Sequence, residues 1–152
     1  MSEEPSAIHV DWTGVQDLSR ELGRRLTERG PWTGVVAVTR GGLIPAAIVA
    51  RALGVRLVET LGLASYEGRE RGALKILKLP ELAAAAEGEG WLVIDDLVDS
   101  GETLRKAREV LPRARYAVLY AKPDGLDAVD DFIVEAPQST WIFFPWETDD
   151  AN

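Results

Sequence analysis

Apolar side chains follow a helical period near the start of the chain. Their spacing of three to four positions places them on one face of an amphipathic helix. We predict this helix over residues 13–28, with Thr13 as its N-cap and with Gly30-Pro31 ending the segment. The apolar positions are Val15, Leu18, Leu22 and Leu26.

The next segment is a short apolar run without alternation. Residues 35–38 read Val-Val-Ala-Val, which is typical of a parallel strand covered on both faces. A second helix is predicted over residues 43–53, because Pro45 fits the first turn of a helix and Gly54 provides a C-terminal stop.

Strand-like and helix-like segments keep alternating along the chain. This order indicates an α/β domain in which helices flank a twisted, mainly parallel sheet joined by right-handed crossovers. With 152 residues and no linker-like composition, residues 1–152 are predicted to form a single domain. Residues 66–72 lack periodicity and are predicted to form a mobile loop. Further strands are predicted at residues 55–63, 75–79, 91–95, 114–120 and 131–134, and further helices at 80–87 and 103–111.

Composition narrows the classes of function. The net charge of −8 argues against general binding to nucleic acid or to an anionic membrane. The chain has no cysteine and a single histidine, His9, which we expect at the surface. These counts exclude disulfides, a thiolate nucleophile, histidine-centred triads and multi-histidine metal sites. Without an apolar run of about 18 residues or a signal-peptide pattern, we expect a cytoplasmic protein.

Ligands of parallel sheets bind beyond the carboxyl ends of the strands, and this rule selects residues 95–103. A strand-like run ends there in Asp95 and Asp96, and Asp99 follows. Carboxylates can hold sugar hydroxyls and a hard cation. The turn 100–103 adds hydroxyls, N–H groups and a helix start, which suit a terminal phosphate, whereas the Gly-Lys-Ser/Thr ending of a P-loop is absent.

Two other places carry candidate binding groups. Arg40-Gly41-Gly42 follows the first predicted strand, and its glycines let the backbone approach a ligand such as pyrophosphate. Late in the chain, Lys122 can donate to a carbonyl oxygen, and Trp141-Ile142 can offer an aromatic face to a flat base. Taken alone, each residue fits a structural role better, Lys122 as a solvated lysine and Trp141 as a packed tryptophan.

With these elements in order, the chain resembles the bacterial xanthine-guanine phosphoribosyltransferases, a type I phosphoribosyltransferase family. The resemblance runs from Trp12 to Trp146, and residues 80–87 look like an insertion. Residues 93–103 match the phosphoribosyl pyrophosphate (PRPP) signature of the superfamily, and Lys122 with Trp141-Ile142 selects the purine enzymes. The remaining matching segments are residues 37–45, 65–66, 74–75, 121–123 and 129–131.

The resemblance implies a role in PRPP binding for each motif. Asp95 and Asp96 would hold the ribose hydroxyls, with Asp96 also in the shell of the Mg²⁺ cofactor. Arg40 and Gly41, helped by Arg71 of the mobile loop, would bind pyrophosphate through a peptide that is often cis. The 5′-phosphate would be held by Asp99, Ser100, Gly101, Glu102 and Thr103.

The resemblance also implies a base site and a reaction. Lys122 would donate to the purine 6-oxo group, Trp141 would stack on the ring, and the Ile142 carbonyl would contact the 2-substituent, beneath a small base-recognition hood. Asp99 would exchange a proton with purine N7 while N9 of guanine, xanthine or hypoxanthine attacks PRPP. The products would be GMP, XMP or IMP and pyrophosphate, and the mobile loop would close to exclude water.

Several residues depart from the family pattern. Glu102 stands where the family usually has glycine, and its carboxylate must point outward if the turn is to hold a phosphate. The loop arginine of the family aligns with Gly72, so the neighbouring Arg71 is the candidate replacement. Phe143-Phe144 follows Trp141-Ile142 where an acidic residue is usual, and both phenylalanines fit either an interface or the core.

Two other functions share this fold. One is a non-catalytic regulator that senses PRPP or nucleotides. The acidic composition argues against this function, and so does the presence of both Asp99 and Lys122. The other is a phosphoribosyltransferase for a different base. The family resemblance also predicts a homo-oligomer, either a dimer or a tetramer. It implies at most peripheral association with a membrane, and the sequence has no basic amphipathic segment that would support such association.

Overall fold

The computed structural model describes residues 6–65 and 73–147. These residues form a six-stranded sheet in the order β4-β3-β2-β5-β6-β7 and a two-stranded sheet of β1 and β8. The strands are β1 (Ala7–His9), β2 (Gly34–Thr39), β3 (Val58–Ser65), β4 (Leu74–Lys78), β5 (Trp91–Val98), β6 (Arg115–Ala121), β7 (Asp131–Glu135) and β8 (Trp141–Phe143). The α-helices are α1 (Trp12–Thr27), α2 (Leu43–Leu53), α3 (Glu81–Ala85) and α4 (Glu102–Arg108), and a 3₁₀ helix spans Pro123–Ala128.

The main sheet confirms the predicted α/β class. Strands β3, β2, β5, β6 and β7 run parallel, and only β4 at the edge is antiparallel to its neighbour β3. β2 and β5 lie next to each other at the centre of the sheet, and most of their residues are buried. Their carboxyl ends therefore meet at one place on the sheet edge.

The first helix begins earlier than predicted. Its N-cap is Asp11 rather than Thr13, because the Asp11 carboxylate accepts a 2.7 Å hydrogen bond from the Gly14 N–H. Thr13 lies inside the first turn. The predicted apolar face is confirmed, since Val15 and Leu22 are fully buried.

The second helix has the predicted bounds, and its end shows why. Gly54 caps it in the left-handed region at φ 69°, where its N–H reaches back to the carbonyls of the last turn. A side chain is disfavoured in that conformation, so glycine is the expected residue. α2 packs extensively against α1 on one face of the sheet.

Two strand boundaries differ from the prediction by three residues, and the other strand boundaries lie within two residues of it. β3 begins at Val58 instead of residue 55. β5 continues past the predicted end at residue 95 as far as Val98, because Asp95 pairs with Val118, Leu97 with Tyr120 and Val98 with Ala121 on β6. The acidic pair therefore lies inside a hydrogen-bonded strand rather than beyond it.

The small sheet was not predicted as strands. β1 pairs in parallel with β8, placing Ala7 opposite Trp141 and Ile8 opposite Ile142. His9 is exposed, as expected, and its ring stacks on Phe143 with centroids 4.8 Å apart. The two strands form a sheet separate from the main sheet. The family resemblance predicts a small base-recognition hood, and we assign this small sheet to it.

Within the described ranges, no helix has the length and hydrophobicity needed to span a bilayer.

Candidate functional site

A cleft of about 650 Å³ opens where β2 and β5 end. It brings together both segments that the sequence selected, since Arg40 and Gly41 line it from one side and Asp95, Asp96 and Thr103 from the other. Glu147, which the sequence did not single out, also lines it.

In the acidic pair that lines this cleft, Asp95 is buried and Asp96 is half-buried. Asp95 is 9% exposed, and its Oδ1 accepts a 2.8 Å hydrogen bond from the Asp96 N–H. Burial, followed by the neighbouring charge of Asp96, raises the pKa of Asp95 well above its usual range. Burial also raises the pKa of Asp96, and the nearby Glu147 charge adds to the rise.

This electrostatic setting favours a cationic or hydroxyl-bearing ligand. Among residues 6–65 and 73–147, no lysine or arginine forms an ion pair with Asp95 or Asp96. Two adjacent buried carboxylates repel each other unless a positive charge or donated hydrogen bonds compensate. The Asp96 N–H supplies one such hydrogen bond to Asp95, and a bound cation or hydroxyl group would add to it.

The two glycines of the Arg40 loop are required by close packing. A Cβ on Gly41 would overlap the Asp96 carboxylate, and a Cβ on Gly42 would overlap the carbonyl oxygens of Val38 and Ile94. The loop thus rests directly on β5, within reach of anything bound to the acidic pair. The peptide between Thr39 and Arg40 is cis, one position before the Arg40-Gly41 peptide.

The turn after β5 has the geometry expected of an anion-binding turn. Gly101 adopts φ 95°, which favours glycine, and α4 begins at the next residue. The Glu102 N–H lies 3.4 Å from the Ser100 hydroxyl oxygen, while the Glu102 side chain is exposed. The direction of this carboxylate relative to a bound phosphate stays a prediction.

Arg105 stabilises the turn that follows β5 through side-chain hydrogen bonds. The sequence did not predict this role. Its guanidinium donates to the Ser100 carbonyl at 2.9 Å and to the Asp124 carbonyl at 3.2 Å, and it pairs with the Asp127 carboxylate. These contacts join the turn to the 3₁₀ helix. No local sequence signal indicates the contacts with Asp124 and Asp127, because these partners are about twenty positions away.

Lys122 lies beside Asp99. Lys122 is only 5% exposed, and its Nζ is 3.6 Å from Asp99 Oδ2. The backbone N–H of Lys122 donates to the Val98 carbonyl at 3.0 Å, which holds the Lys122 backbone against the end of β5. Gly125 lets the 3₁₀ helix approach, since a Cβ there would lie 2.9 Å from the Asp99 carbonyl oxygen. The predicted catalytic carboxylate and the predicted base-binding lysine are thus neighbours.

A glutamine completes this group. Gln138 Nε2 donates to Asp99 Oδ1 at 2.7 Å, and Gln138 Oε1 accepts from the Asp124 N–H at 2.8 Å. No motif in the sequence singles out Gln138. Its contacts with Asp99 depend on the tertiary fold.

The small sheet carries the other predicted base-site residues. Trp141 is 61% exposed, so its ring presents a free aromatic face, whereas the Ile142 side chain is buried. Phe144 is buried in the core and stacks on Trp146 at 5.0 Å between centroids, while Phe143 stacks on His9. Packing within the chain accounts for both phenylalanines.

The predicted mobile loop, with Arg71 as its pyrophosphate-binding candidate, lies outside the described residues. Its closure and its contact with PRPP stay predictions.

Comparisons with known proteins agree with this geometry. The family model described as "Phosphoribosyl transferase domain" matches residues 12–152. The xanthine-guanine phosphoribosyltransferase of Nitratidesulfovibrio vulgaris is 48% identical over 141 residues, covering 92% of this chain and 84% of the relative. Its counterpart from Cereibacter sphaeroides is 46% identical over 144 residues, covering 92% and 86%.

Solved structures show the same likeness. A purine phosphoribosyltransferase from Pyrococcus horikoshii superposes with a TM-score of 0.81 at 25% identity, covering 97% of each chain. The xanthine-guanine-hypoxanthine phosphoribosyltransferase of Helicobacter pylori gives a TM-score of 0.75 at 28% identity, covering 94% of this chain and 95% of the other.

Proposed function

The chain belongs to the phosphoribosyl transferase domain family, and we propose that it is a purine-salvage enzyme. It transfers the phosphoribosyl group of PRPP to N9 of guanine, xanthine or hypoxanthine and releases pyrophosphate. The observation that carries this proposal is the pairing of Lys122 with Asp99, 3.6 Å apart, directly after the acidic pair of β5. One face of the site thus suits a 6-oxopurine and the other a phosphorylated ribose.

PRPP binding is assigned to three groups around the cleft. Asp95 and Asp96 accept hydrogen bonds from the ribose hydroxyls. The turn 99–103 surrounds the 5′-phosphate with backbone N–H groups and the hydroxyls of Ser100 and Thr103. Arg40 and the Gly41 backbone bind the pyrophosphate from the opposite side, helped by Arg71.

The acidic pair suits Mg²⁺. Its donors are hard carboxylate oxygens, and burial raises the pKa of both carboxyls in the absence of a cation. The described residues contain no cluster of three or more metal-ligating side chains, which agrees with the preference of Mg²⁺ for one or two carboxylates with waters and substrate phosphates. Asp96, with Asp95 beside it, would hold the ion, which when bound neutralises the charge of the pyrophosphate leaving group. Titration of the protein with Mg²⁺ by calorimetry, with and without PRPP, tests this assignment, and an Asp96→Asn variant that binds Mg²⁺ normally would contradict it.

The base site orients the purine toward the ribose. Lys122 Nζ donates to the 6-oxo group, Trp141 stacks on the ring, and the Ile142 backbone carbonyl accepts from the 2-substituent. Asp99 exchanges a proton at purine N7 as N9 attacks, a general acid–base role. Because departure of pyrophosphate leaves positive charge on the ribose ring, positioning and electrostatics provide most of the catalysis.

The direct test is pyrophosphate release in the presence of PRPP and Mg²⁺ with each 6-oxopurine. Turnover with guanine, xanthine or hypoxanthine is expected, and adenine should be poor because it offers no 6-oxo acceptor to Lys122. PRPP or nucleotide binding without turnover on any of these bases would favour the regulator instead. Turnover with a different base alone would point to the other phosphoribosyltransferase.

The Asp99→Asn variant tests the acid–base role. Turnover should fall about 10²- to 10⁴-fold, the usual contribution of general acid–base catalysis, while PRPP still binds. Unchanged turnover would rule out this role for Asp99.

A homo-oligomer, a dimer or tetramer, is part of the proposal. Leu43 and Ile44 at the start of α2, and Leu57 and Val58 at the start of β3, are each 38–45% exposed. Such adjacent apolar exposure is typical of a surface that a second copy covers. Light scattering should give a mass of two or four chains, and a monomer at micromolar concentration would contradict this. The cytoplasmic location stays a prediction.

A further inference from the structure

The side chain of Gln138 is held at both ends. Its Nε2 donates to Asp99 Oδ1 at 2.7 Å, and its Oε1 accepts from the Asp124 N–H at 2.8 Å. The orientation of the amide follows from these partners, since a flipped amide would set an NH₂ group against an N–H and an oxygen against a carboxylate. The amide is thus matched to a carboxylate on one side and a backbone donor on the other.

Asp99 needs such a partner to hold one orientation. Its side chain is 59% exposed, and its Oδ2 lies 3.6 Å from Lys122 Nζ. An exposed carboxylate with one long ion pair can rotate about its terminal torsion, which is broad. The bond from Gln138 fixes Oδ1 and leaves Oδ2 on the side of Lys122.

The same amide also fixes the segment that carries Lys122. Asp124 lies two positions after Lys122, and its N–H is bound by Gln138. Its carbonyl accepts from Arg105, which also binds the Ser100 carbonyl of the turn. Asp99, the lysine segment and the turn are therefore linked through one glutamine and one arginine.

We propose that Gln138 is a positioning residue for the transfer reaction, orienting the Asp99 carboxylate toward the purine and holding it in register with Lys122. This inference rests on the proposed acid–base role of Asp99. Gln138 stabilises the geometry in which Asp99 exchanges a proton, so its loss lowers the rate of the chemical step and leaves PRPP binding unchanged.

The Gln138→Glu variant separates the two bonds. Glutamate has nearly the shape of glutamine and keeps an oxygen for the Asp124 N–H, but it replaces the donor to Asp99 with a carboxylate oxygen. Loss of a hydrogen bond to a charged group corresponds to about 10-fold or more. We expect kcat to fall by at least this factor, with the KM for PRPP within twofold of the wild type. Ser139→Ala, a change at the exposed neighbouring residue, is the matched control and should leave both constants unchanged.

A purely structural role is distinguished by a double-mutant cycle. If Gln138 acts by positioning the Asp99 carboxylate, it has little effect once Asp99 is replaced. In the Asp99→Asn background, Gln138→Glu should therefore lower kcat much less than it does in the wild-type protein. An equal loss in both backgrounds, or a kcat within twofold of wild type for Gln138→Glu, would overturn the proposal. Gln138→Met provides a second, uncharged variant for the same cycle if the glutamate variant has a lowered melting temperature.

The cycle also separates failure of this inference from failure of the proposed function. If Asp99→Asn alone keeps full turnover, the acid–base role of Asp99 is wrong. If Asp99→Asn is impaired but neither Gln138 variant is, only the positioning role is wrong.

Discussion

The adjacent glycines Gly41 and Gly42 predict two different consequences of the same substitution. A Cβ on Gly41 would lie 2.7 Å from Asp96 Oδ1 and Cγ and closer still to Oδ2. A Cβ on Gly42 would lie 2.7 Å from the Val38 carbonyl oxygen and 3.1 Å from the Asp95 Cα. The first alanine therefore displaces the Asp96 side chain, for which we propose a role in ligand binding, and the second overlaps the backbone of two central strands.

The expected magnitudes follow from what has to move. In Gly41→Ala the Asp96 side chain can rotate away, so we expect little effect on the fold but loss of the hydrogen bond that we propose between its carboxylate and the ribose. A bond to a charged group contributes about 1.5–3 kcal/mol, equivalent to about 10- to 150-fold in kcat/KM for PRPP. In Gly42→Ala nothing flexible gives way, and overpacking lowers the free energy of unfolding by about 1–3 kcal/mol. That corresponds to a melting temperature lower by about 2–12 °C for a chain of this size.

The assay compares initial rates of pyrophosphate release over a range of PRPP concentrations with thermal unfolding of the same samples. Gly41→Ala should lose kcat/KM for PRPP while its melting temperature stays within about 2 °C of wild type. Gly42→Ala should unfold at a lower temperature. Unchanged kcat/KM in Gly41→Ala would refute the role given to Asp96, and an equal loss of stability in both variants would refute the distinction drawn from the contacts.

Two further predictions concern the base site and the first helix. Trp141→Ala should raise the KM for guanine about 5- to 150-fold, the equivalent of about 1–3 kcal/mol of base stacking, without lowering the melting temperature, because the ring is 61% exposed; an unchanged KM would place the base elsewhere. Asp11→Ala removes the N-cap bond to Gly14 and should cost about 1 kcal/mol of stability, or about 2–4 °C. Thr13→Ala is its control, and an equal effect there would show that Thr13 is the cap after all.

Local signals in the sequence were enough for much of the fold. The bounds of α2 were predicted because Pro45 and Gly54 act on the backbone within a turn of their own position. The end of β5 was predicted too early, because a strand that contains two aspartates does not look apolar. Its true length depends on pairing with β6, which lies beyond an intervening helix.

In the candidate site, too, contiguous motifs could be predicted from the sequence and contacts between distant residues could not. The acidic pair, the turn and the Arg40 loop were predicted because each is contiguous in the sequence. The contacts of Gln138 with Asp99, 39 positions earlier, and of Arg105 with Asp127, 22 positions later, arise only when strands and loops are brought together. Side-chain direction at those distances is set by packing, and no spacing rule describes it.

The parallel pairing of β1 with β8 links the two ends of the described chain at the base site. The Trp141 N–H donates to the Ser6 carbonyl at 2.9 Å, and the hydroxyls of Ser6 and Thr140 lie 2.7 Å apart. During synthesis, the strand that carries Trp141 and Ile142 emerges long after its partner β1, when strands β2 to β7 of the main sheet have already left the ribosome. The small sheet therefore closes only when nearly the whole chain has been made, and we expect a chain that lacks residue Ser6 to hold Trp141 less firmly while every residue of the cleft is kept.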